Sequence, residues 1–357
     1  MNERYLRRRI IKSGLTAVIG SCLFTETTHG LYTGDEMIRP KILGLNFSPV
    51  QCDYLGLGNV FDAYRNILDL NPDALRLATY PTRPVEETHR LLQEAKDRNI
   101  KVILAVGGIK YPRWPEFFSD QELQTYLNTT APSVIGEDKL VYEKVTSQLQ
   151  QNLEEFNIYP NITHLQAGNE SANQVEVAGK VTESPQLLKK ELEIIAVQKK
   201  PGQKTLTTFA FPLGQMPFMP DNPKRILTEH MELVDSVGIH FYSKVPHRFL
   251  GYLTAGETDY KRAEDWRVTA EHEAKEVWAT EVQAEPFESN NAVHIKNRTY
   301  PSSNPERMIS LVGELTQRGY NRQLLWGSEH WIWHANQGHN EWIDAWRELQ
   351  NAHLSPI

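Results

Sequence analysis

The chain carries only two cysteines, Cys22 and Cys52, among its 357 residues. Two thiols exclude a disulfide-stapled scaffold and any zinc site built from several cysteines. A basic surplus is also missing. Lys and Arg number 38 against 45 Asp and Glu, a formal net charge of −7, and the cations are scattered along the chain. A nucleic-acid partner needs a basic footprint, so that class is set aside. No apolar run reaches the ~20 residues that a membrane-spanning helix requires. The phosphate-binding glycine patterns and the HExxH zinc motif are absent as well. What the chain does hold is 40% hydrophobic residues with 8 Trp, 14 Tyr and 12 Phe, enough for a large core.

The first residues read as an address rather than as fold. Arg4, Arg7, Arg8, Arg9 and Lys12 precede a short apolar stretch starting at Leu15, the order of a signal peptide. Arg7-Arg8-Arg9-Ile10-Ile11-Lys12 resembles a twin-arginine export motif, with Leu6 where Ser or Thr is usual. Ile19-Gly20-Ser21-Cys22 resembles a bacterial lipobox, which would place a lipid on Cys22. Residues 1–24 are therefore expected to be a signal or lipoprotein signal and 25–40 a linker, leaving 41–357 as one catalytic domain. The expected product is an exported, membrane-anchored lipoprotein, periplasmic or extracellular, attached through its N-terminus.

From Lys41 onward, short apolar runs alternate with helical patterns. The predicted strands are 42–47, 74–79, 102–106, 162–167, 205–209, 236–240, 277–280 and 324–327. Continuous apolar runs separated by helices are the signature of a buried parallel sheet. Among the helices, Val141, Val145, Leu149, Leu153 and Phe156 share one face, as do Leu187, Leu188, Leu192 and Ile195, and Met308, Leu311, Val312 and Leu315, each at three- and four-residue spacing. Ser184-Pro185, Asn222-Pro223 and Asn304-Pro305 pair a capping side chain with a proline suited to the first helical position. Eight strand–helix units predict a single (β/α)8 TIM barrel. An open nucleotide-binding sheet would carry a glycine-rich turn after its first strand, where this chain has Ser48-Pro49-Val50-Gln51-Cys52-Asp53. Two long connections, from Gly107 to about Lys139 and from Val282 to Ser303, leave the C-terminal ends of strands three and seven. Barrel active sites are built on that face.

The strand ends carry the chemistry. Asn-Glu occurs at Asn2-Glu3, Asn169-Glu170 and Asn340-Glu341, and only the middle pair comes after an apolar strand run. Glu281 likewise comes after Val277-Trp278-Ala279-Thr280. Glutamates at the ends of strands four and seven project into one cleft from opposite sides. Glycoside cleavage needs such a pair, one group to protonate the leaving oxygen and one to attack the anomeric carbon. Arg76, ending strand two, is positioned to hold a carboxylate ionised, and Tyr242, ending strand six, to donate a hydrogen bond to it.

The order Arg76, Asn169-Glu170, His240-Phe241-Tyr242, Glu281 and Trp326 resembles the clan A glycoside hydrolases, most closely the family 5 cellulase and mannanase group, over residues 41 to about 350. The resemblance implies a retaining enzyme acting on O-glycosidic, β-type linkages of oligo- or polysaccharides without a cofactor or metal. It implies Glu170 as acid/base, Glu281 as nucleophile, Asn169 on the 2-hydroxyl of the cleaved sugar, Trp326 stacked beneath it, and His240, Tyr242 and Arg76 in support. The chain departs from the family pattern in three places. Ser171 stands after the Asn-Glu pair where proline is usual, Gly107-Gly108 stand where strand three usually ends in histidine, and Thr280-Glu281-Val282-Gln283-Ala284-Glu285-Pro286 replaces the Glu-aromatic-Gly pattern.

Further candidates for sugar binding are Glu285, Glu329, Trp331, Trp333 and, in the long third connection, Tyr111 and Trp114. The aromatic members could equally be packing residues. His330 and His334 are four residues apart, a spacing that could ligate a metal on a helix, but no third ligand is evident. Two alternatives compete with a glycosidase. One is a metal-dependent barrel hydrolase, which would usually open with a His-x-His pair where this chain has Asn46-Phe47-Ser48. The other is a non-catalytic, glycan-binding barrel at the cell surface, disfavoured by the intact glutamates.

Overall fold

In the computed structural model, the structure describes residues 38–80, 83–107, 134–135, 139–170, 182–183, 185–214, 222–247, 250–288 and 300–354. Eight strands form the barrel: β1 (Ile42–Phe47), β2 (Ala74–Ala78), β3 (Lys101–Ala105), β4 (Ile162–Ala167), β5 (Lys204–Ala210), β6 (Ser236–Phe241), β7 (Glu276–Gln283) and β8 (Arg322–Trp326). They pair in sequence order, and β8 returns to β1, closing an all-parallel sheet. This is the (β/α)8 barrel that the strand pattern predicts.

Around it lie α1 (Pro49–Leu55), α2 (Val60–Leu68), α3 (Val85–Asp97), α4 (Lys139–Phe156), α5 (Pro185–Gln198), α6 (Asn222–His230), α7 (Glu257–His272), α8 (Pro305–Gln317), α9 (Ser328–Ala335) and α10 (Glu341–Asn351). The Asn304 side chain accepts from the Arg307 amide at 2.8 Å, as the cap-plus-proline signal predicts. Ser184 lies outside the described residues, and Asn222 is itself the first residue of α6. Two short parallel pairs sit outside the barrel. One joins Val134–Ile135 to Thr182–Glu183, linking the connections after β3 and β4. The other joins Ile38–Arg39 to His353–Leu354, so the stretch 25–40 ends in ordered structure. No helix among the described residues is long and apolar enough to cross a membrane.

Strand side chains alternate between the two faces of the sheet. The outward set, including Leu43, Leu45, Leu75, Val102, Leu104, Leu165, Phe209, Val237, Ile239 and Leu325, joins the helices in one large core. The inward set is layered. Ala74, Ile103, Leu206, Trp278 and Leu324 form an apolar plug low in the barrel. Asn46, Arg76, Gln166, Thr208, His240 and Glu281, nearer the C-terminal ends, form a buried polar layer above it. Polar groups removed from water must be hydrogen-bonded, and that requirement organises the site.

Candidate active site

Arg76 organises the polar layer. Its guanidinium is 2% exposed and donates to four acceptors: Gln166 Oε1 at 2.6 Å, Asn46 Oδ1 at 2.9 Å, Glu281 Oε1 at 2.6 Å and Asn169 Oδ1 at 2.8 Å. Asn46 is in turn held by the carbonyls of Thr280, Leu324 and Leu325, and Gln166 by the Gly168 carbonyl. A planar cation with fixed donors thus ties β1, β2, β4 and β7 together.

Glu281 owes its position to an irregularity in β7. Ala279 pairs with Ile239 and Glu281 with His240, the next residue of β6. Against β8, Ala279 pairs with Gln323 and Val282 with Leu325. The strand therefore carries one residue more than either neighbour across this step, a bulge of the kind that re-aims a side chain. The Glu281 carboxyl is buried, paired with Arg76, and accepts the Tyr242 hydroxyl at 3.0 Å. Burial, and secondarily the charge of Glu281, raises the Tyr242 phenol well above its usual range, so Tyr242 stays a donor throughout the neutral pH range.

Glu170 lies beyond β4 in a strained turn. Gly168 has φ +61° and Glu170 itself φ +56°, a left-handed conformation that costs a residue other than glycine about 1–3 kcal/mol. The turn is pinned by the Glu170 amide donating to Thr208 Oγ1 at 3.1 Å and by the Gly168 amide donating to Glu191 Oε2 at 2.7 Å. The Glu170 side chain is 30% exposed. His240, fully buried, places Nδ1 3.0 Å from Glu170 Oε1 and 3.4 Å from Glu281 Oε2. Both neighbours of that nitrogen are carboxyl oxygens, so a neutral imidazole carries its proton there.

One oxygen of Glu170, one oxygen of Glu281 and a ring nitrogen of His240 lie within 4.8 Å of one another, the one such trio of potential metal ligands among the described residues. Arg76, 2.6 Å from Glu281, already supplies a positive charge there, which opposes a second cation. His330 and His334 do approach, with ring centroids 4.4 Å apart, but they join no third ligand among the described residues.

Beside this centre the Trp326 indole N–H donates to Glu285 Oε1 at 2.8 Å. Burial pushes Glu285 up to about 7, against the hydrogen bonds from Trp326 and Gln51, and the charge of Glu281 adds to the rise. Burial pushes Glu329 up to about 8, against the Ser48 amide that donates to it. Glu329 sits in the first turn of α9. Gly327, with φ +123°, is required where it stands, because a Cβ there would fall 2.4 Å from that of Glu285.

The structure thus gathers Arg76, Asn169, Glu170, His240, Tyr242 and Glu281, with Glu285 and Trp326 alongside. It corrects one candidate. Trp331 is fully buried, donates to the Ala284 carbonyl at 2.7 Å and packs on Trp342 and Trp346, so it is core and cannot meet a sugar. Trp333 is half-buried and stacks on His330. Cys22, Tyr111, Trp114 and Ser171 lie outside the described residues. Sequence reasoning missed Asn46, Gln166 and Thr208, whose signal was a polar residue inside an apolar strand. It also missed Glu191, which interrupts the apolar face Leu188, Leu192, Ile195 of α5.

No protein-family model matches this sequence, and no curated protein does. Solved structures do match. A GH5_18 protein of Bifidobacterium longum in complex with Manβ1-4GlcNAc aligns at 13% identity over 88% of this chain and 80% of its own, with TM-score 0.54. A GH5-4 broad-specificity endoglucanase of Clostridium longisporum aligns at 13% identity over 88% of this chain and 100% of its own, also with TM-score 0.54. A cold-adapted β-galactosidase of Rahnella aligns at 11% over 88% and 56%, again with TM-score 0.54. At such identities the likeness establishes one thing: this chain folds as the same (β/α)8 barrel that those glycoside-cleaving proteins use.

Proposed function

We propose that the protein is a retaining glycoside hydrolase of the clan A type, akin to family 5, that cleaves β-linked oligo- or polysaccharides with Glu281 as nucleophile and Glu170 as acid/base. The observation that carries the reading is the meeting of these two glutamates, 111 residues apart in sequence, at one mouth of the barrel. One oxygen of each lies within 4.8 Å of the other, so the two carboxyl groups share one cleft, as a double displacement at a single anomeric carbon needs. The fold's likeness to sugar-cleaving barrels supports it.

In this reading Glu281, its charge met by Arg76 and Tyr242, attacks the anomeric carbon while Glu170 gives its proton to the departing oxygen. A glycosyl ester on Glu281 results. Glu170, now a carboxylate, takes a proton from water, whose oxygen attacks the same carbon and releases Glu281. Asn169, fixed by Arg76, is placed for the 2-hydroxyl, and the half-buried Trp326 ring for the sugar's apolar face. The N-terminal segment, with Cys22, serves export and attachment to a membrane.

The test is a screen of the purified protein on aryl β-glycosides and on glucans, mannans and xylans. Glu281→Gln should abolish turnover on every substrate. Glu170→Ala should lose about 10²–10⁴-fold on substrates with poor leaving groups and recover in azide with a β-glycosyl azide product. Equal losses in both variants, insensitive to azide, would overturn the role assignment, and a wild type inert on every glycoside would overturn the function.

A further inference from the structure

We propose that Glu191, on α5, is a positioning residue for the turn that presents Asn169 and Glu170, reaching it through the space left open by Gly107. The inference rests on the glycosidase reading, because that reading makes the placement of Glu170 consequential.

Three observations meet here. Glu191 is fully buried although it lies on a helix of the outer layer. A carboxyl group taken out of water needs a partner, and its Oε2 accepts the Gly168 amide at 2.7 Å. That amide opens the turn in which Gly168 and Glu170 both adopt left-handed backbone. The route of the carboxyl is equally defined. A Cβ on Gly107, just beyond the end of β3, would stand 2.6 Å from Glu191 Oε2 and 2.9 Å from its Cδ. Any side chain at 107 would therefore have to displace the carboxyl. The neighbours Leu188, Leu192 and Ile195 are buried, so the helix is anchored on either side of Glu191 and delivers the carboxyl from a rigid element.

The turn is thus held at each of its residues: Gly168 by Glu191, the Asn169 side chain by Arg76 at 2.8 Å, and the Glu170 amide by Thr208 at 3.1 Å. Strained backbone persists only where its surroundings over-determine it. Removing the first of the three holds lets the turn relax and moves the Glu170 carboxyl away from the departing oxygen.

The experiment measures how kcat/KM depends on the leaving group across a series of aryl glycosides. Glu191→Ala should lose about a hundredfold on poor leaving groups, the scale of a misplacement of about 1 Å, and little on dinitrophenyl glycosides, which need no acid. Glu191→Gln keeps an oxygen for the Gly168 amide and should stay close to wild type. Gly107→Ala leaves the carboxyl in the chain but pushes it aside, so it should reproduce the Glu191→Ala profile even if that variant folds poorly. Leu192→Ala, on the same helix, should destabilise the fold while leaving the leaving-group slope unchanged. Unchanged slopes in Gly107→Ala and Glu191→Ala would overturn the proposal, as would a Leu192→Ala slope as steep as theirs. A wild type without glycosidase activity would instead remove the reading on which the proposal rests.

Discussion

Replacing Glu285 by glutamine should change how the protein's stability depends on pH. Glu285 is buried, and its carboxyl is pushed from the ordinary 4.5 up to about 7. The native state therefore keeps a proton that the unfolded chain has released between pH 4.5 and about 7. Stability falls as the pH rises through that window and stays low above it. One pKa unit corresponds to about 1.4 kcal/mol, so the shift amounts to roughly 3 kcal/mol over the whole window. Glutamine never ionises and keeps an oxygen for the Trp326 indole N–H. Urea-unfolding free energies at pH 5 and pH 8 should show the wild type losing most of that amount relative to Glu285→Gln, with the variant the more stable protein at pH 8. The contribution of Glu329, which titrates at about 8, is common to both proteins and largely cancels. Parallel pH profiles for the two would refute the argument, since they would mean that Glu285 does not carry a buried proton.

Arg76→Met should cost about 3–5 kcal/mol in chemical unfolding, because it leaves the buried Glu281 carboxyl without its cation, and activity should fall to the level of Glu281→Gln. Gly327→Ala should drive Glu285 and Trp326 apart, given the 2.4 Å approach, and appear as a raised KM together with a lower melting temperature. Trp331→Ala and Trp326→Ala should separate core from site. The first loses about 3–5 kcal/mol of stability, while the second, half-exposed, keeps most of its stability and loses substrate affinity. A reporter fused to residues 1–30 should reach the membrane fraction and leave it on Cys22→Ser; a reporter that is cytoplasmic with either residue would refute the export reading.

The barrel was legible because its outward strand faces are apolar over whole runs, and every predicted strand overlaps an observed one. Boundaries were less so. β7 reads in sequence as ending at Thr280, yet it continues through Val282 to Gln283, because hydrogen bonding carries on past the point where apolar composition stops. Of the site, Arg76, Glu170 and Glu281 are legible as charged residues at the C-terminal ends of apolar strand runs. Glu191 is not, since its partner is a backbone amide on another element and no residue type announces such a bond. Trp331 misled for a related reason. Its neighbour Trp326 is half-exposed and bonded to Glu285, whereas Trp331 turns into the stack with Trp342 and Trp346, and spacing along the chain does not distinguish the two directions.

The extra residue in β7 gives chain length a meaning of its own at this site. Ala279 and Glu281 face consecutive residues of β6, so Thr280 is the spare member of the strand. Deleting Thr280 would restore regular pairing and keep every charged group of the site, yet it would remove the local bend that sets the direction of Glu281 toward Arg76 and Tyr242, and with it the Thr280 carbonyl that accepts from Asn46. The number of residues between Ala279 and Val282 thus shapes the site alongside the identity of the glutamate between them.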